Sequence, residues 1–282
     1  MTLLASYFNT SIQNFIGEYL LATGKAGVVI GISGGIDSAI CAKICMNALG
    51  DDMVHGLWIP HYDEVLNEID EGSYLGYVES STFSKQVADW VNLKHYERRS
   101  IYSATNDILH INRKDYEDVE PDSMSAKISK GNIMARIRMI VLYDYAYANN
   151  LLVVGTSNKS ELMLGYGTKW ADTVGDIQPI AHLYKTQVFE LAKELKVPQW
   201  LMEKAPSAGL WEHQTDEEEM GVTYEMADKI LTDLHDLNAL PFFKKYSGTP
   251  EWKYVAIVTN RLKMSRHKNK PIPQVINSWW EI

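Results

Sequence analysis

The sequence predicts an α/β fold, a parallel β-sheet covered by helices on both faces. Three short apolar runs have the composition of strands buried on both sides: Gly27-Val28-Val29-Ile30-Gly31-Ile32, Met53 to Pro60, and Leu151-Leu152-Val153-Val154-Gly155-Thr156. Segments with helical spacing lie between them. Strand and helix in alternation is the pattern of parallel strands joined by helical crossovers.

The first element is an amphipathic helix, with Leu4, Phe8, Ile12, Phe15, Ile16, Tyr19 and Leu20 at helical spacing. It has no basic start and no cleavage site, so a secretory leader is not expected. After the first strand, Ser33-Gly34-Gly35 breaks the pattern and a helix follows from about Asp37 to Leu49. The second strand ends at Pro60. A helix is predicted over Thr82 to Asn92, and a strand over Lys94 to Ile101. Asp122 to Asn149 reads as one long helix that could break at Gly131, with Ile133, Ile137, Ile140, Val141 and Tyr145 at helical spacing. Tyr184 to Leu195 is helical again. Gly165 to Gln178 is irregular and rich in Gly, Asp and Thr. Ala205 to Gly221 is predicted to be a loop that closes as a lid, since long loops without structure of their own are usually lids or disordered. Its acidic cluster, Asp216 to Glu219, reads as a solvated helix start, because acids suit an N-terminal turn. No repeat, low-complexity tract or Pro/Gly/Ser linker divides the 282 residues, so a single domain over 1–282 is expected.

Composition narrows the function classes. The 27 basic and 36 acidic residues give a net charge of -9, which argues against a nucleic-acid partner. No apolar stretch reaches the roughly 18–20 residues of a membrane span, and a cytoplasmic protein is expected. Cys41 and Cys45 lie four residues apart on one predicted helix face and read as small buried hydrophobes, not a disulfide framework.

The strongest signal is Gly31-Ile32-Ser33-Gly34-Gly35-Ile36-Asp37-Ser38, set between a strand and a helix. Glycines let a backbone turn tightly and approach a ligand. Free N–H groups at a helix start then face an anion, and Ser33 and Ser38 add hydroxyls. A Walker loop would end Gly-Lys-Ser/Thr. Here Asp37 takes the lysine's place. A carboxylate beside phosphates is repulsive unless a cation bridges them, so Asp37 implies Mg²⁺ with a nucleotide. A plain capped helix start would explain Asp37 but not the double glycine.

Ser-Gly-Gly-x-Asp-Ser resembles the pyrophosphate loop of the ATP pyrophosphatase superfamily. Further motifs narrow the resemblance: Lys130-Gly131-Asn132, Arg136-Ile137-Arg138, Gly155-Thr156-Ser157-Asn158-Lys159-Ser160-Glu161, Gly165-Tyr166-Gly167-Thr168-Lys169, Leu183-Tyr184-Lys185-Thr186, Lys204-Ala205-Pro206-Ser207, Gly221-Val222-Thr223-Tyr224 and Ser265-Arg266-His267-Lys268. Together they look like the ammonia-dependent NAD⁺ synthetases, from the first helix to about Lys270. The resemblance implies an adenine nucleotide alpha hydrolase-like (Rossmann-like) three-layer sandwich. It implies amidation of deamido-NAD⁺ by ammonia with ATP as co-substrate, through an acyl-adenylate. Gly31 to Ser38, Thr156, Lys185 and Ser207 would bind ATP, and Asp37 and Glu161 would hold Mg²⁺. Arg136, Lys169, Asp176, His267 and Lys268 would bind the dinucleotide acid. Lys185 would act with Asp37 in catalysis, and Asp172 is a candidate to deprotonate ammonium. The resemblance also implies a homodimer.

The chemistry is physically coherent. A carboxylate is a poor electrophile, and adenylation supplies a leaving group. Charge then grows on the α-phosphate as pyrophosphate departs, where lysines and Mg²⁺ stabilise it. Taken singly, Arg136 and Arg138 could be surface ion-pair residues, and Lys169, Lys185, Glu161, His267 and Lys268 ordinary exposed charges. Only their joint order and spacing selects the functional reading. The chain departs from the family at Gly167, Trp170, Ala171, Thr173 and Val174, where aromatics or glycines are usual. β-Branched Thr173 and Val174 resist positive φ, so an altered loop path is expected. Two rivals follow: the same chemistry on another carboxylate, or a non-catalytic adenine-nucleotide-binding regulator. A glutaminase partner domain is not expected, because neither cysteine lies where a separate nucleophile could act.

Overall fold

In the computed structural model, residues 3–61, 82–111, 120, 123–207, 209 and 214–268 are described. The order is α1 (Leu3–Thr23), β1 (Gly27–Gly31), α2 (Ile36–Leu49), β2 (Val54–Trp58), α3 (82–91), β3 (His95–Arg98), α4 (Tyr102–Ile111), α5 (Met124–Asn149) and β4 (Leu151–Val154). Then follow α6 (Lys159–Leu164), α7 (Lys185–Glu194), α8 (Gln199–Met202), α9 (Asp216–Met220), α10 (Tyr224–Asp236), α11 (Ala239–Tyr246) and α12 (Trp252–Ser265).

The four strands form one parallel sheet in the order β3-β2-β1-β4. Both faces are buried, and the strand period of two sorts the side chains between them. Val28 and Ile30 of β1, with Leu152 and Val154 of β4, join Ile16, Ile40, Val188 and Leu191 of α1, α2 and α7. Val29, Leu57, Leu151 and Val153 face the other way, onto Met134, Ile137 and Leu142 of α5. This agrees with the expected parallel sheet sandwiched by helices. A third apolar cluster, with Tyr224, Ile230, Phe242, Tyr246 and Val258, gathers α6 and α10–α12.

Cys41 and Cys45 are free and buried in α2, as expected. α5 runs unbroken through buried Gly131, correcting the suggested break. It starts at Ser123, whose Oγ accepts from the Ala126 N–H, and stops at Asn150 in the left-handed region (φ +57). Asp122 lies outside the described residues. β3 is shorter than its predicted run, although the Arg99 N–H still donates to the Trp58 carbonyl and the Ile101 N–H to the Pro60 carbonyl, both at 2.9 Å. No helix among the described residues is long and apolar enough to cross a membrane.

The start of β1 has no room for a side chain. A Cβ on Gly27 would stand 2.2 Å from the Met53 carbonyl oxygen, a backbone atom of the adjoining chain. Gly27→Ala is expected to destabilise the fold by about 1–3 kcal/mol, the usual cost of forcing atoms into a packed site. Urea denaturation checks this, and an unchanged midpoint would contradict it.

Candidate active site

The loop after β1 and the loop after β4 lie side by side at the carboxyl ends of the strands. Here the strand order reverses, since β1 leads outward to β2 on one side and meets β4 on the other. That crevice is where open parallel sheets bind ligands. β1 delivers Gly31 and Ile32, and Gly34 makes the turn at φ +76. The Ser33 and Ser38 hydroxyls are 3.1 Å apart, the Gly35 N–H donates to Ser33 Oγ (3.2 Å), and Ser38 Oγ donates to the Gly35 carbonyl (2.9 Å). Ile36 begins α2, putting Asp37 in its first turn.

β4 ends at Val154, and half-buried Thr156 follows at the same rim. Asn158 caps α6: its side chain accepts from the Glu161 N–H (3.0 Å), and Glu161 Oε2 accepts from the Asn158 N–H (3.3 Å). This capping box satisfies two helix-end donors and fixes the Glu161 side chain. Asn158 Nδ2 also donates to Asp37 Oδ1 at 3.2 Å, tying α6 to the glycine loop.

Lys185, the first residue of α7, enters between the two. Its side chain is 2% exposed. Nζ donates to Asp37 Oδ2 and lies 3.6 Å from Glu161 Oε1. Its backbone N–H donates to Ser160 Oγ (2.9 Å), and Ser160 in turn donates to Asp228 Oδ1. Asp228 Oδ2 accepts from the Thr186 N–H (2.9 Å), so α10 braces the start of α7. Burial opposes the Lys185 charge, but Asp37 and then Glu161 outweigh it and hold the amine above its usual range. The Tyr224 ring centroid is 5.1 Å from Nζ.

The acidic cluster before Gly221 is not wholly solvated, which corrects the expectation. Asp216 is 4% exposed and accepts from the Tyr166 and Tyr224 hydroxyls, each at 3.0 Å. Burial raises its carboxyl, against the pull of Lys185 and the two phenols. Part of the predicted lid therefore has its own structure, the helix α9. Residues 208 and 210–213 of that segment lie outside the described residues.

Burial, and next the Asp37 charge, push Glu161 up to about 8. Its charged form thus lacks full compensation from Lys185. A hard divalent cation such as Mg²⁺ would favour the ionised Glu161 carboxylate that Lys185 alone does not hold at neutral pH. Among the described residues no three His, Cys, Asp or Glu side chains form a metal cage by themselves. A cation here would draw its remaining ligands from phosphate oxygens or water.

The residues assigned to the acid substrate are more scattered in their contacts. Arg136 is exposed on α5. The Lys169 ammonium lies 5.1 Å from the centroid of the Trp170 ring, itself 54% exposed. Asp176 Oδ2 accepts from the Val153 N–H at 2.7 Å, extending the pairing of β4. Exposed Asp172 accepts from the Thr168 N–H at 2.9 Å. Lys268 Nζ donates to the Gly165 and Gly167 carbonyls, both at 2.7 Å, and so pins the loop. Exposed His267 meets the Met264 carbonyl through Nδ1 (2.9 Å). Ser207 is exposed, and its Oγ accepts from the Gly209 N–H (3.1 Å). The altered loop avoids the expected difficulty: Trp170 takes positive φ (+64), whereas Thr173 and Val174 do not.

A glycine loop and helix start at the switch point of a parallel sheet, facing a buried lysine between carboxylates, form the ligand crevice of an open parallel α/β fold. The NAD synthase family model matches residues 8–272, and the chain belongs to that family. The NH3-dependent NAD⁺ synthetase of Methanococcoides burtonii is 44% identical over 220 residues, 78% of this chain and 76% of that protein. The NH3-dependent NAD⁺ synthetase of Methanocaldococcus jannaschii is 38% identical over 274 residues, 94% of this chain and 95% of its own. Among solved structures, the NMN synthetase of Francisella tularensis superposes with a TM-score of 0.75 at 29% identity, covering 96% of this chain and 98% of that one. An NH3-dependent NAD synthetase from Campylobacter jejuni, in complex with the nitrate ion, gives 0.72 at 29% identity over 97% and 99% of the two chains.

Proposed function

We propose that this amide-forming ligase converts deamido-NAD⁺, ATP and ammonia into NAD⁺, AMP and pyrophosphate through an acyl-adenylate. The observation that carries the reading is Lys185 held between Asp37 and Glu161 beside the glycine loop. Backbone N–H groups of Gly31 to Ser38, with Thr156, Lys185 and Ser207, bind ATP. Lys185 faces the charge that develops as pyrophosphate leaves, where a pre-set cation in a dry site acts most strongly. Asp37 and Glu161 would hold Mg²⁺, which when bound neutralises phosphate charge. Arg136, Lys169, Asp176, His267 and Lys268 receive the acid substrate. Asp172 takes the ammonium proton, since only neutral NH₃ has the lone pair to attack. The chain works as one catalytic unit, in the cytoplasm, as a homodimer.

Pyrophosphate release from purified protein tests this reading, with deamido-NAD⁺ as the acid and ATP and ammonium present. No release with that acid, but release with another, would discard the substrate and keep the chemistry. A second reading, amidation of the mononucleotide acid, is favoured by the Francisella NMN synthetase, which superposes over nearly the whole of both chains. The same assay run with nicotinate mononucleotide separates the two. Ammonium salts are expected to sustain AMP formation by the purified chain, and glutamine without ammonium is not. Glutamine-driven turnover at a comparable rate would overturn the assignment of ammonia as the nitrogen source.

A further inference from the structure

The phosphate loop is held from outside by a residue with no role in the scheme above. Lys204, just past α8, donates from Nζ to the Gly34 carbonyl oxygen at 3.3 Å. The same ammonium lies 3.8 Å from the centroid of the Phe83 ring. Phe83, on α3, packs against Trp200 on α8, their ring centroids 5.7 Å apart. Next to it, Ser84 Oγ donates to the Ile32 carbonyl at 2.6 Å, so α3 and Lys204 grip the loop at the carbonyls of the two residues that flank Ser33.

Gly34 is needed here twice over. Its φ is +76, and a Cβ would come 2.7 Å from the Phe83 Cβ. The cost is freedom, since the peptide between two glycines has little of its own to fix its orientation. No cis peptide occurs among the described residues. In a trans peptide the C=O and N–H point opposite ways. Lys204 draws the Gly34 C=O to its side, and the Gly35 N–H of the same peptide points toward Ser33 Oγ, beside Ser38 Oγ.

We propose that Lys204 is a positioning residue for ATP. It fixes the Gly34–Gly35 peptide with its N–H on the side of the Ser33 and Ser38 hydroxyls, where the phosphates would bind, and its charge polarises that peptide so the N–H is a better donor to an anion that displaces Ser33 Oγ. The inference rests on the reading of Gly31 to Ser38 as the ATP phosphate site. Lys204 itself acts through the peptide and touches no reacting atom.

The test is Mg-ATP affinity of the full chain by calorimetry, with KM measured separately for ATP, acid and ammonium. Lys204→Met keeps an apolar stem over Phe83 and removes the donor. Its Kd and KM for ATP are expected to rise about tenfold, a charge-assisted hydrogen bond being worth roughly one to two decades in an equilibrium constant. KM for the acid and for ammonium should stay within about twofold, because uniform binding of those substrates is untouched. Lys204→Arg, which retains a charged donor, should recover most of the ATP affinity. Wild-type ATP affinity in Lys204→Met overturns the proposal. So does an equal loss for all three substrates, or a lowered unfolding midpoint with no selective change for ATP. Should the wild-type chain itself fail to bind Mg-ATP, the reading of the loop falls, and Lys204 falls with it. Lys204→Gln serves as a second variant if Lys204→Met does not fold.

Discussion

Asp37→Asn is expected to cut turnover by about 10²–10³ while leaving the chain folded, the usual loss when one pre-set electrostatic element is removed from an active site. The substitution is nearly isosteric. The new amide oxygen can still accept from Asn158 Nδ2, which now meets Asp37 Oδ1 at 3.2 Å. What disappears is a charge. Lys185 then leans on Glu161, 3.6 Å away, and the ammonium is no longer held under the first turn of α2. The carboxylate pair proposed to carry Mg²⁺ is halved as well. Glu161→Gln should behave alike, with one difference. Glu161 Oε2 also closes the capping box on α6, so this variant can lose some stability with its activity. Pyrophosphate release at saturating ATP, with thermal unfolding run in parallel, measures both. Near wild-type turnover in Asp37→Asn at moderate Mg²⁺ would mean that the charge at this position has no part in the reaction.

The parts legible in the sequence are those whose signal is local. Three apolar runs gave strands buried on both faces, because no alternation means no solvent side. The glycine loop was legible because its function needs backbone shape within a few residues. Asp37, Glu161 and Lys185 lie 124 and 24 residues apart along the chain, yet each sits at an element end where spacing and motif agree. The supporting contacts were not legible. Asp216 looks like any acid in a first turn, and only Tyr166 and Tyr224 folding over it bury it. Ser160 and Asp228 meet across α6 and α10 with nothing local to announce the pairing. One local signal does exist for Glu161: Asn158-Lys159-Ser160-Glu161 has capping-box spacing, which fixes the direction of the Glu161 side chain. In the Gly165–Gln178 loop the positive φ does not fall at Ala171, Thr173 or Val174, which stand where glycines are usual. The backbone places it at Trp170, an aromatic that accepts the strain at the surface.

Lys185→Met is expected to destabilise the unliganded protein by about 3–5 kcal/mol, the cost of removing one partner from a buried ion pair. The methionine keeps most of the stem volume, so packing against the Tyr224 ring is largely preserved. The loss is electrostatic. Asp37 and Glu161 would face each other with no cation between them, and buried Asp216 lies close enough to raise both the Glu161 carboxyl and the Lys185 amine. Asp37 and Glu161 are themselves 17% and 16% exposed, so solvent relieves part of the repulsion and the lower end of the range is the better expectation. Adding Glu161→Gln to Lys185→Met should return part of the stability, because it removes one of the stranded charges. In the wild-type background the same substitution should gain nothing comparable, since Lys185 there would lose a partner. The two single variants and the double therefore form a cycle with a coupling energy of about 0.5–3 kcal/mol, the range for residues in contact. Urea denaturation without nucleotide measures it, run at about pH 9, above the value of about 8 to which the Glu161 carboxyl is pushed, so that the charge is present in the wild-type chain. Additive effects would mean that Lys185 and Glu161 do not sense each other, and the charge cluster on which the active-site assignment rests would be lost.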